Sequence, residues 1–347
     1  MYERIYDFQN LYKAHKRARL GKRNTREVIE FELNLSENLM RLSDSLREHS
    51  YKVSGYYTFN VYDPKLRKIH ALHYRDRVVQ HAVCDEVLAP TLEPKLIYDN
   101  AACRIGKGTS FAIRRVSAFM NEFYKQHGTS GYFLKCDIRK FFENIDHEIL
   151  KAKLKHVFAN EPEVLNLLCV IIDSYESEPG RGLPLGNQTS QWFANYYLDE
   201  FDRVIKEKLR LKYYSRYMDD CVIIHDDKEY LRYCLETITE SLSRHALDFN
   251  GKTVIFPLKN GVNYLGWHFY ITDTGKIIRR VTHRTKFRFK RRLSLMRKQY
   301  KQDAITFNEV RLVLSAYYAH LIQGHTYRLM AKTLDEFTLT KSNDEKI

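Results

Sequence analysis

The fold of this protein is decided by the stretch Tyr213-Tyr214-Ser215-Arg216-Tyr217-Met218-Asp219-Asp220-Cys221-Val222-Ile223-Ile224. Two runs of aromatic and β-branched residues flank an Asp-Asp pair, a pattern that predicts a β-hairpin with two carboxylates at its turn. Strands rarely contain adjacent aspartates, and two carboxylates about 4 Å apart repel by roughly 4 kcal/mol at an effective dielectric near 20. We therefore expect a positive group between them. The alternative is a solvated turn, and the rest of the sequence decides between the two.

The charge balance favours a polyanionic partner. The 347 residues include 57 Lys and Arg against 43 Asp and Glu, a net charge of +14. Nucleic acid explains such a surplus better than an anionic membrane does, and the 25 Tyr and 19 Phe suit stacking on bases as well as core packing. The six cysteines form no C-x-x-C pair, which indicates reduced thiols without a zinc site or disulfides. The N-terminus is polar and basic and no apolar run has the length of a membrane span, so we expect a cytoplasmic protein without a membrane partner.

By composition the sequence divides into four segments, which we expect to be structural units: residues 1–55, 56–275, 276–340 and 341–347. We expect residues 1–55 to form basic helices, and residues 56–275 contain the strand-like runs. Residues 276–340 are expected to form a basic helical unit, and residues 341–347 a disordered tail. Exposed cations in the third segment are predicted to contact the phosphates of a nucleic acid. These residues are Arg284, Lys286, Arg288, Lys290, Arg291 and Arg292.

Two local patterns precede the first strong strand. A stripe of leucines at helical spacing predicts one or two helices near the N-terminus, formed by Leu33, Leu35, Leu39 and Leu42. From Tyr56 to His73 the sequence is strand-like with a break at Asp63-Pro64. Lys65, Arg67 and Lys68 follow the break, so this segment predicts a basic hairpin or loop, with a solubilising turn as the alternative.

A third carboxylate, Asp137, ends the apolar run that begins at Gly131. If this strand lies beside the central hairpin, Asp137, Asp219 and Asp220 converge and their oxygens could hold two Mg²⁺ ions. Two such ions bridging an attacking 3′-hydroxyl and a leaving pyrophosphate are the usual arrangement for nucleotidyl transfer. Three unrelated surface acids are the alternative, but that leaves their apolar flanks unexplained.

Three segments resemble the successive palm motifs of reverse transcriptases: Phe133-Leu-Lys-Cys-Asp137-Ile-Arg-Lys-Phe-Phe142, Leu183-Pro-Leu-Gly186-Asn-Gln-Thr-Ser-Gln191 and Tyr217-Met218-Asp219-Asp220. Residues 250–253 and 264–267 resemble the two palm motifs that follow, and residues 75–80 resemble a fingers motif of the bacterial branch. The likeness extends over about residues 60–275 in the order of the family. It implies an α+β right-hand polymerase fold with fingers, an antiparallel palm sheet and a helical thumb.

The resemblance also implies roles for residues in these motifs. Asp137, Asp219 and the backbone of Ile138 would bind two Mg²⁺ ions with support from Asp220, and Lys252 would protonate the leaving pyrophosphate. Phe142 would exclude a ribose 2′-hydroxyl, with Phe141 as the alternative gate. The remaining contacts to the incoming dNTP are expected from Leu185, Gly186 and Gln191, and from Arg67 in the fingers, followed by Lys68 and Arg75.

The third motif points to a subfamily. Most relatives have a glutamine where this sequence has Leu185, and Ser-Pro where it has Ser190-Gln191, and these departures resemble the reverse transcriptases of diversity-generating retroelements. That type implies cDNA synthesis on an element-encoded RNA, errors at template adenines, and an RNA/cDNA duplex and a basic accessory protein as partners. A retron, intron-derived or defence-associated enzyme is the alternative. A polymerase-shaped RNA-binding scaffold without catalysis is a hypothesis of a different class.

Overall fold

The computed structural model describes residues 1–62 and 66–341. Its N-terminal part consists of four short helices: α1 (Tyr2–Tyr6), α2 (Phe8–Ala18), α3 (Arg26–Leu33) and α4 (Leu35–Arg47). The prediction of one or two helices here was wrong, because the chain breaks at Asn34. The break shifts the helical phase, so Leu39 and Leu42 are buried whereas the side chain of Leu33 is 76% exposed.

An antiparallel hairpin follows, formed by β1 (Tyr56–Tyr62) and β2 (Leu66–Leu72), with Phe59 opposite Ile69. The predicted break at Asp63-Pro64 and the adjacent Lys65 lie outside the described residues. The chain then forms α5 (Tyr74–Val83), a π-helical turn, the short α6 (Ala89–Leu92) and the long α7 (Thr109–His127).

The central sheet is antiparallel and contains β3 (Tyr132–Asp137), β4 (Tyr213–Tyr217), β5 (Asp220–His225) and β6 (Val254–Pro257), in the order β4-β5-β3-β6. Apolar side chains cover both of its faces. Cys221 and Ile223 on β5 pack into the larger core, while Val222 and Ile224 on the same strand pack into a second core beneath α7. Because alternate residues of a strand point to opposite faces, burial on both sides explains why β5 is apolar almost throughout.

Six further helices lie between the strands of this sheet along the chain: α8 (Phe141–Asn144), α9 (His147–Val157), α10 (Pro162–Ile172), α11 (Gln188–Tyr197), α12 (Asp199–Arg203) and α13 (Lys228–Ser243). The side chain of Asp146 accepts hydrogen bonds from the backbone N–H groups of Glu148 and Ile149, and Asp227 caps α13 in the same way. These bonds satisfy donors that the first turn of a helix otherwise leaves unpaired.

The C-terminal part contains a small sheet and a helical unit. Strands β7 (Val262–Tyr264), β8 (Trp267–Ile271) and β9 (Ile277–Val281) pair antiparallel in that order. Helices α14 (His283–Lys301), α15 (Phe307–Leu321) and α16 (Tyr327–Asp335) follow, with Phe289, Leu293 and Leu321 in their own small core. The predicted disordered tail lies, apart from Lys341, outside the described residues. Across residues 1–62 and 66–341 no helix has the length and apolar character needed to cross a membrane. All six cysteines are free thiols.

Candidate active site

The predicted hairpin is formed by β4 and β5, which are joined by Met218 and Asp219. Met218 has a φ of 55°, a left-handed conformation that a residue other than glycine seldom adopts. Such a tight turn places Asp219 at the tip of the hairpin, while Asp220 begins β5 and pairs directly with Asp137 at the end of β3. The three carboxylates therefore lie together at one end of two neighbouring strands.

Burial and mutual repulsion disfavour the charged forms of these acids. The pKa of Asp220 is raised to about 7, mainly by burial and also by the nearby Asp219 and Asp137, against the opposing effect of Lys135. The Lys135 Nζ lies 3.6 Å from Asp220 Oδ1. The pKa of Asp219 is raised by burial and by Asp137, while Arg67 and Arg216 oppose the shift. A cation that binds between these carboxylates relieves both effects.

The donor set fits a divalent metal ion. Asp220 Oδ1 is buried and accepts no hydrogen bond from any group in the described ranges. In the same ranges, no three His, Cys, Asp or Glu side chains are grouped closely enough to form a complete metal site. Mg²⁺ seldom needs such a set, because it is usually held by one or two carboxylates together with water and substrate phosphates.

A buried arginine supports the hairpin turn. Arg216 on β4 is almost inaccessible to solvent and donates to Asp202 from Nε at 2.7 Å and from Nη2 at 2.6 Å. Its Nη1 donates to the carbonyl oxygen of Met218 at 2.9 Å, and the Tyr214 hydroxyl donates to Asp202 at 2.5 Å. Arg216 thus links the residue before Asp219 to α12. Our sequence analysis missed this role, although an arginine inside an apolar strand is a signal of it.

The chain beyond Asp137 runs beside residues 248–253. The Asn250 N–H donates to the carbonyl of Asp137 at 2.9 Å, and Ile138 forms a bridge with Phe249. Lys252 is exposed on the turn that follows, where the Asn250 side chain accepts a hydrogen bond from its backbone N–H at 2.7 Å. The predicted general acid therefore belongs to a turn that is anchored to the carboxylate strand.

The two candidate sugar gates differ in accessibility. Phe141 is buried in the larger core, whereas Phe142 is only half-buried and contacts Phe141 edge to face at 5.5 Å. The carbonyl of Phe142 accepts a hydrogen bond from Leu183 at 2.7 Å, which ties it to the next predicted motif. Phe142 is therefore the more accessible of the two rings, and its role as the sugar gate stays a prediction.

The motif around Leu185 divides into two parts. Leu185 is partly exposed, and Gly186 is exposed with a φ of 105°, which favours glycine. A Cβ at Gly186 would lie 3.6 Å from Ile69 on β2, so the loop that contains Gly186 adjoins the β1–β2 hairpin. Gln191 has a different environment, because its Oε1 accepts a hydrogen bond from the Cys103 thiol at 2.9 Å. The predicted contact of Gln191 with the nucleotide stays a prediction, and its amide nitrogen still has two hydrogen-bond donors to offer.

Arg67 and Arg75, the two arginines predicted to bind the triphosphate of the dNTP, lie in different environments. Arg67 is exposed on β2, and its positive charge opposes the upward shift in the pKa of Asp219. Arg75 begins α5 and lies over the Tyr51 ring at 5.5 Å, with its Nη2 donating to the carbonyl of Lys52 at 3.2 Å. These contacts hold the Arg75 side chain against Tyr51 and Lys52, in the loop that precedes β1.

The predicted phosphate-binding residues lie on one helix, α14. Phe289, Leu293 and Met296 form its buried stripe at helical spacing. The cations on the remaining surface are all exposed: Arg284, Lys286, Arg288, Lys290, Arg291 and Arg292. Such a surface matches the charge of a nucleic-acid backbone.

Comparison with known proteins assigns the class. A family profile described as reverse transcriptase (RNA-dependent DNA polymerase) matches residues 62–269, which is more than half of the chain. The chain therefore belongs to the reverse transcriptase family of enzymes, and its helices and antiparallel sheets form the right-hand polymerase fold. No curated protein matches the sequence.

Solved structures similar to this chain include two fungal telomerases. Apo telomerase from Candida tropicalis is 13% identical, with a TM-score of 0.49 over 65% of this chain and 48% of that one. Telomerase from Candida albicans in complex with a TWJ fragment of telomeric RNA is 12% identical, with a TM-score of 0.49 over 78% of this chain and 55% of that one. The present chain thus spans about half the length of these telomerase chains.

Proposed function

We propose that this protein synthesises DNA on an RNA template by two-metal nucleotidyl transfer. The observation that carries the proposal is the pairing of Asp137 with Asp220 beside the turn that holds Asp219, all within the residues that match the family. The exposed cations of α14 and the net charge of +14 support binding of template RNA and of the RNA/cDNA duplex.

In this proposal each part of the site has a separate task. Asp137, Asp219 and the carbonyl of Ile138 would hold two Mg²⁺ ions with support from Asp220, and the chemistry that such ions would supply is activation of a 3′-hydroxyl and neutralisation of the leaving pyrophosphate. Arg67 binds the triphosphate of the incoming dNTP through charge-assisted hydrogen bonds. Lys252 carries the proton that the leaving pyrophosphate needs.

Two substitutions test the carboxylates. Asp219→Asn and Asp137→Asn each remove one charge from the proposed metal site, so primer extension on an RNA template should fall below detection while circular dichroism stays unchanged. Asp303→Asn is a matched control, because Asp303 is exposed and pairs with Lys341 far along the chain from the site. Near-normal extension by either folded variant would refute the two-metal proposal. Tight RNA binding without extension by the wild type would favour the scaffold hypothesis.

We further propose that the enzyme is of the diversity-generating type and miscopies template adenines. Leu185 supports this, because its partly exposed side chain lies next to Gly186 and offers no hydrogen-bonding group to a nascent base pair. One net hydrogen bond is worth about 0.5–1.5 kcal/mol, a factor of roughly two to twelve in selectivity. By the same resemblance, a basic accessory protein of the element would be a partner.

Sequencing of cDNA made on a defined RNA tests the subtype. The wild type should misincorporate mainly opposite adenine, and Leu185→Gln should lower this error by the factor given above. Equal error rates opposite all four template bases would contradict the assignment and favour a retron, intron-derived or defence-associated enzyme.

A further inference from the structure

A lysine lies on the same strand as the first carboxylate of the candidate active site. Lys135 precedes Asp137 by two residues on β3, so the two side chains point to the same face of the sheet. Its register partners are Val222 on β5 and Val254 on β6, which place it between two apolar neighbours. Lysine is depleted in strands and is seldom enclosed unless its charge is paired. The roles proposed above make no use of Lys135, so its partners indicate what it does.

The ammonium group of Lys135 has two oxygen neighbours. Its Nζ donates a hydrogen bond to the carbonyl of Asn263 on β7 at 2.5 Å and lies 3.6 Å from Asp220 Oδ1. The side chains of Lys135 and Asp220 are 25% and 28% exposed, so water and salt screen their attraction only in part. A long cationic side chain at the edge of a core usually extends its charge into water. The Lys135 ammonium instead joins a carboxylate of the site to the backbone of a second sheet.

This ion pair distinguishes Asp220 from the other two carboxylates. Across residues 1–62 and 66–341, neither Asp137 nor Asp219 takes part in an ion pair. Their oxygens are therefore available to a metal ion, whereas Asp220 already has a cation beside it. The contact with Lys135 thus supports the division of roles in the proposed function, where Asp137 and Asp219 bind the ions and Asp220 supports them.

A fixed ammonium beside this site acts in two directions. Repulsion among the carboxylates is one of the causes that raise the pKa of Asp219 and of Asp220, and Lys135 opposes it at Asp220. The same charge also repels a second cation. For an ammonium and a divalent ion roughly 6 Å apart in a water-like dielectric, the repulsion weakens binding by about tenfold. Lys135 therefore stabilises the metal-free carboxylates and lowers their affinity for a metal ion.

We propose that Lys135 is a positioning residue of the active site, which holds Asp220 in its supporting place and so leaves Asp137 and Asp219 as the metal ligands. The inference rests on the proposed function, because it takes these two carboxylates to bind the ions. In this role Lys135 acts through Asp220 and the Asn263 carbonyl and makes no contact with substrate. Without the ammonium, Asp220 is free to become a third ligand, and the site binds metal more tightly in a geometry less suited to nucleotidyl transfer.

Titration of the full chain with Mn²⁺, without nucleic acid or dNTP, tests this inference independently of catalysis. The electron paramagnetic resonance signal of free Mn²⁺ falls as the ion binds, so it reports the affinity directly. Lys135→Met keeps the apolar stem and removes the charge, and it should bind Mn²⁺ about tenfold more tightly than the wild type. Lys135→Gln takes its place if the methionine variant does not fold.

Two further variants serve as controls in this titration. Lys135→Arg keeps the charge, so its affinity for Mn²⁺ should stay within about twofold of the wild type. Lys125→Met should leave the affinity unchanged, because Lys125 is an exposed lysine in the last turn of α7, near the end of β3 that lies opposite to Asp137.

Extension by a single nucleotide separates positioning from packing. At saturating Mg²⁺, the kcat of Lys135→Met should fall at least about tenfold while its KM for the dNTP changes less than about twofold, because the loss concerns the transition state and not substrate binding. Lys135→Arg should restore most of the rate. An ion pair that only stabilised the fold would give a different pattern, in which Lys135→Met weakens Mn²⁺ binding and extension together.

Three results would overturn the inference. Wild-type or weaker affinity of Lys135→Met for Mn²⁺ would show that the ammonium does not restrain the carboxylates. Extension by Lys135→Met at the wild-type rate would show that Asp220 needs no positioning. A Lys135→Arg variant that behaves like Lys135→Met would show that the charge is not the cause.

Asp219→Asn in the same titration keeps this inference apart from the proposed function. It should lose most of its affinity for Mn²⁺ if Asp219 is a metal ligand. That loss together with unchanged affinity in Lys135→Met would overturn the role of Lys135 alone, whereas unchanged binding by Asp219→Asn would overturn the proposed metal site.

Discussion

Replacement of Asp202 by asparagine should destabilise the protein strongly, although Asp202 is not one of the proposed metal-binding carboxylates. Asp202 accepts two hydrogen bonds from Arg216, and both side chains are almost completely buried. The substitution leaves the guanidinium buried without a counter-charge. Breaking a buried ion pair by removing one partner costs about 3–5 kcal/mol, and we expect a loss of this size in the free energy of unfolding.

A double variant that removes both charges should lose more primer-extension activity than its loss of stability explains. Asp202→Leu combined with Arg216→Met replaces the ion pair by apolar groups of similar size, which is often neutral for stability. The carbonyls of Met218 and Asn195 then lose their donor, at a cost of about 1–3 kcal/mol each if they stay buried. The double variant should regain part of the stability but not primer extension, because the turn that carries Asp219 has lost its support.

Urea denaturation followed by tryptophan fluorescence measures the free energy of unfolding of each variant, since Trp192 and Trp267 are both buried. Asp226→Asn is the control, because Asp226 is exposed and its contacts are to histidines at the surface. Its effect should stay within about 0.5 kcal/mol. The reasoning is refuted if Asp202→Asn costs less than about 1 kcal/mol, or if the double variant extends primers at the wild-type rate.

Three further predictions concern the sugar gate, the basic helix α14 and the pH dependence of stability. Phe142→Ala should raise the ratio of rNTP to dNTP incorporation, whereas Phe141→Ala should instead cost about 3–5 kcal/mol of stability because it empties a core position; the opposite pattern would reassign the gate. Charge reversal at Arg291 and Arg292 should weaken RNA binding for all sequences and flatten its dependence on salt, and an unchanged slope in a titration from low to high salt would place the nucleic acid elsewhere. The folded pKa of His81 is about 4, against 6.5 in the unfolded chain, so the unfolded state binds the extra proton between these values and stability should fall as pH is lowered from about 6.5 to 4. Urea midpoints at pH 5 and pH 7.5 should therefore differ less in His81→Gln than in the wild type.

Local patterns predicted much of this structure correctly. Runs of aromatic and β-branched residues around Asp219 and Asp220 predicted the hairpin, and the apolar run from Gly131 predicted a strand that ends at Asp137. The basic helix α14 lies where the run of cations predicted a basic helical unit. Each of these features depends on periodicity within a few residues, and short-range periodicity can be read directly from a sequence.

Other features depended on partners far away in the chain. The sequence around Gln191 resembled a nucleotide-binding motif, but only the fold shows that Cys103 donates a hydrogen bond to it. Arg75 belonged to a fingers motif, yet its guanidinium lies over the Tyr51 ring. In both cases the residue type was compatible with the predicted role, and a neighbour supplied by tertiary packing determined the contact.

The sequence by itself thus determined the central hairpin, the strand that ends at Asp137 and the basic helix α14, because these features arise from neighbouring residues. Only the tertiary structure decided that Asp137 pairs with Asp220 and that Arg216 is buried against Asp202. The physical reason is that burial and pairing of a polar group depend on which distant surfaces the folded chain brings against it.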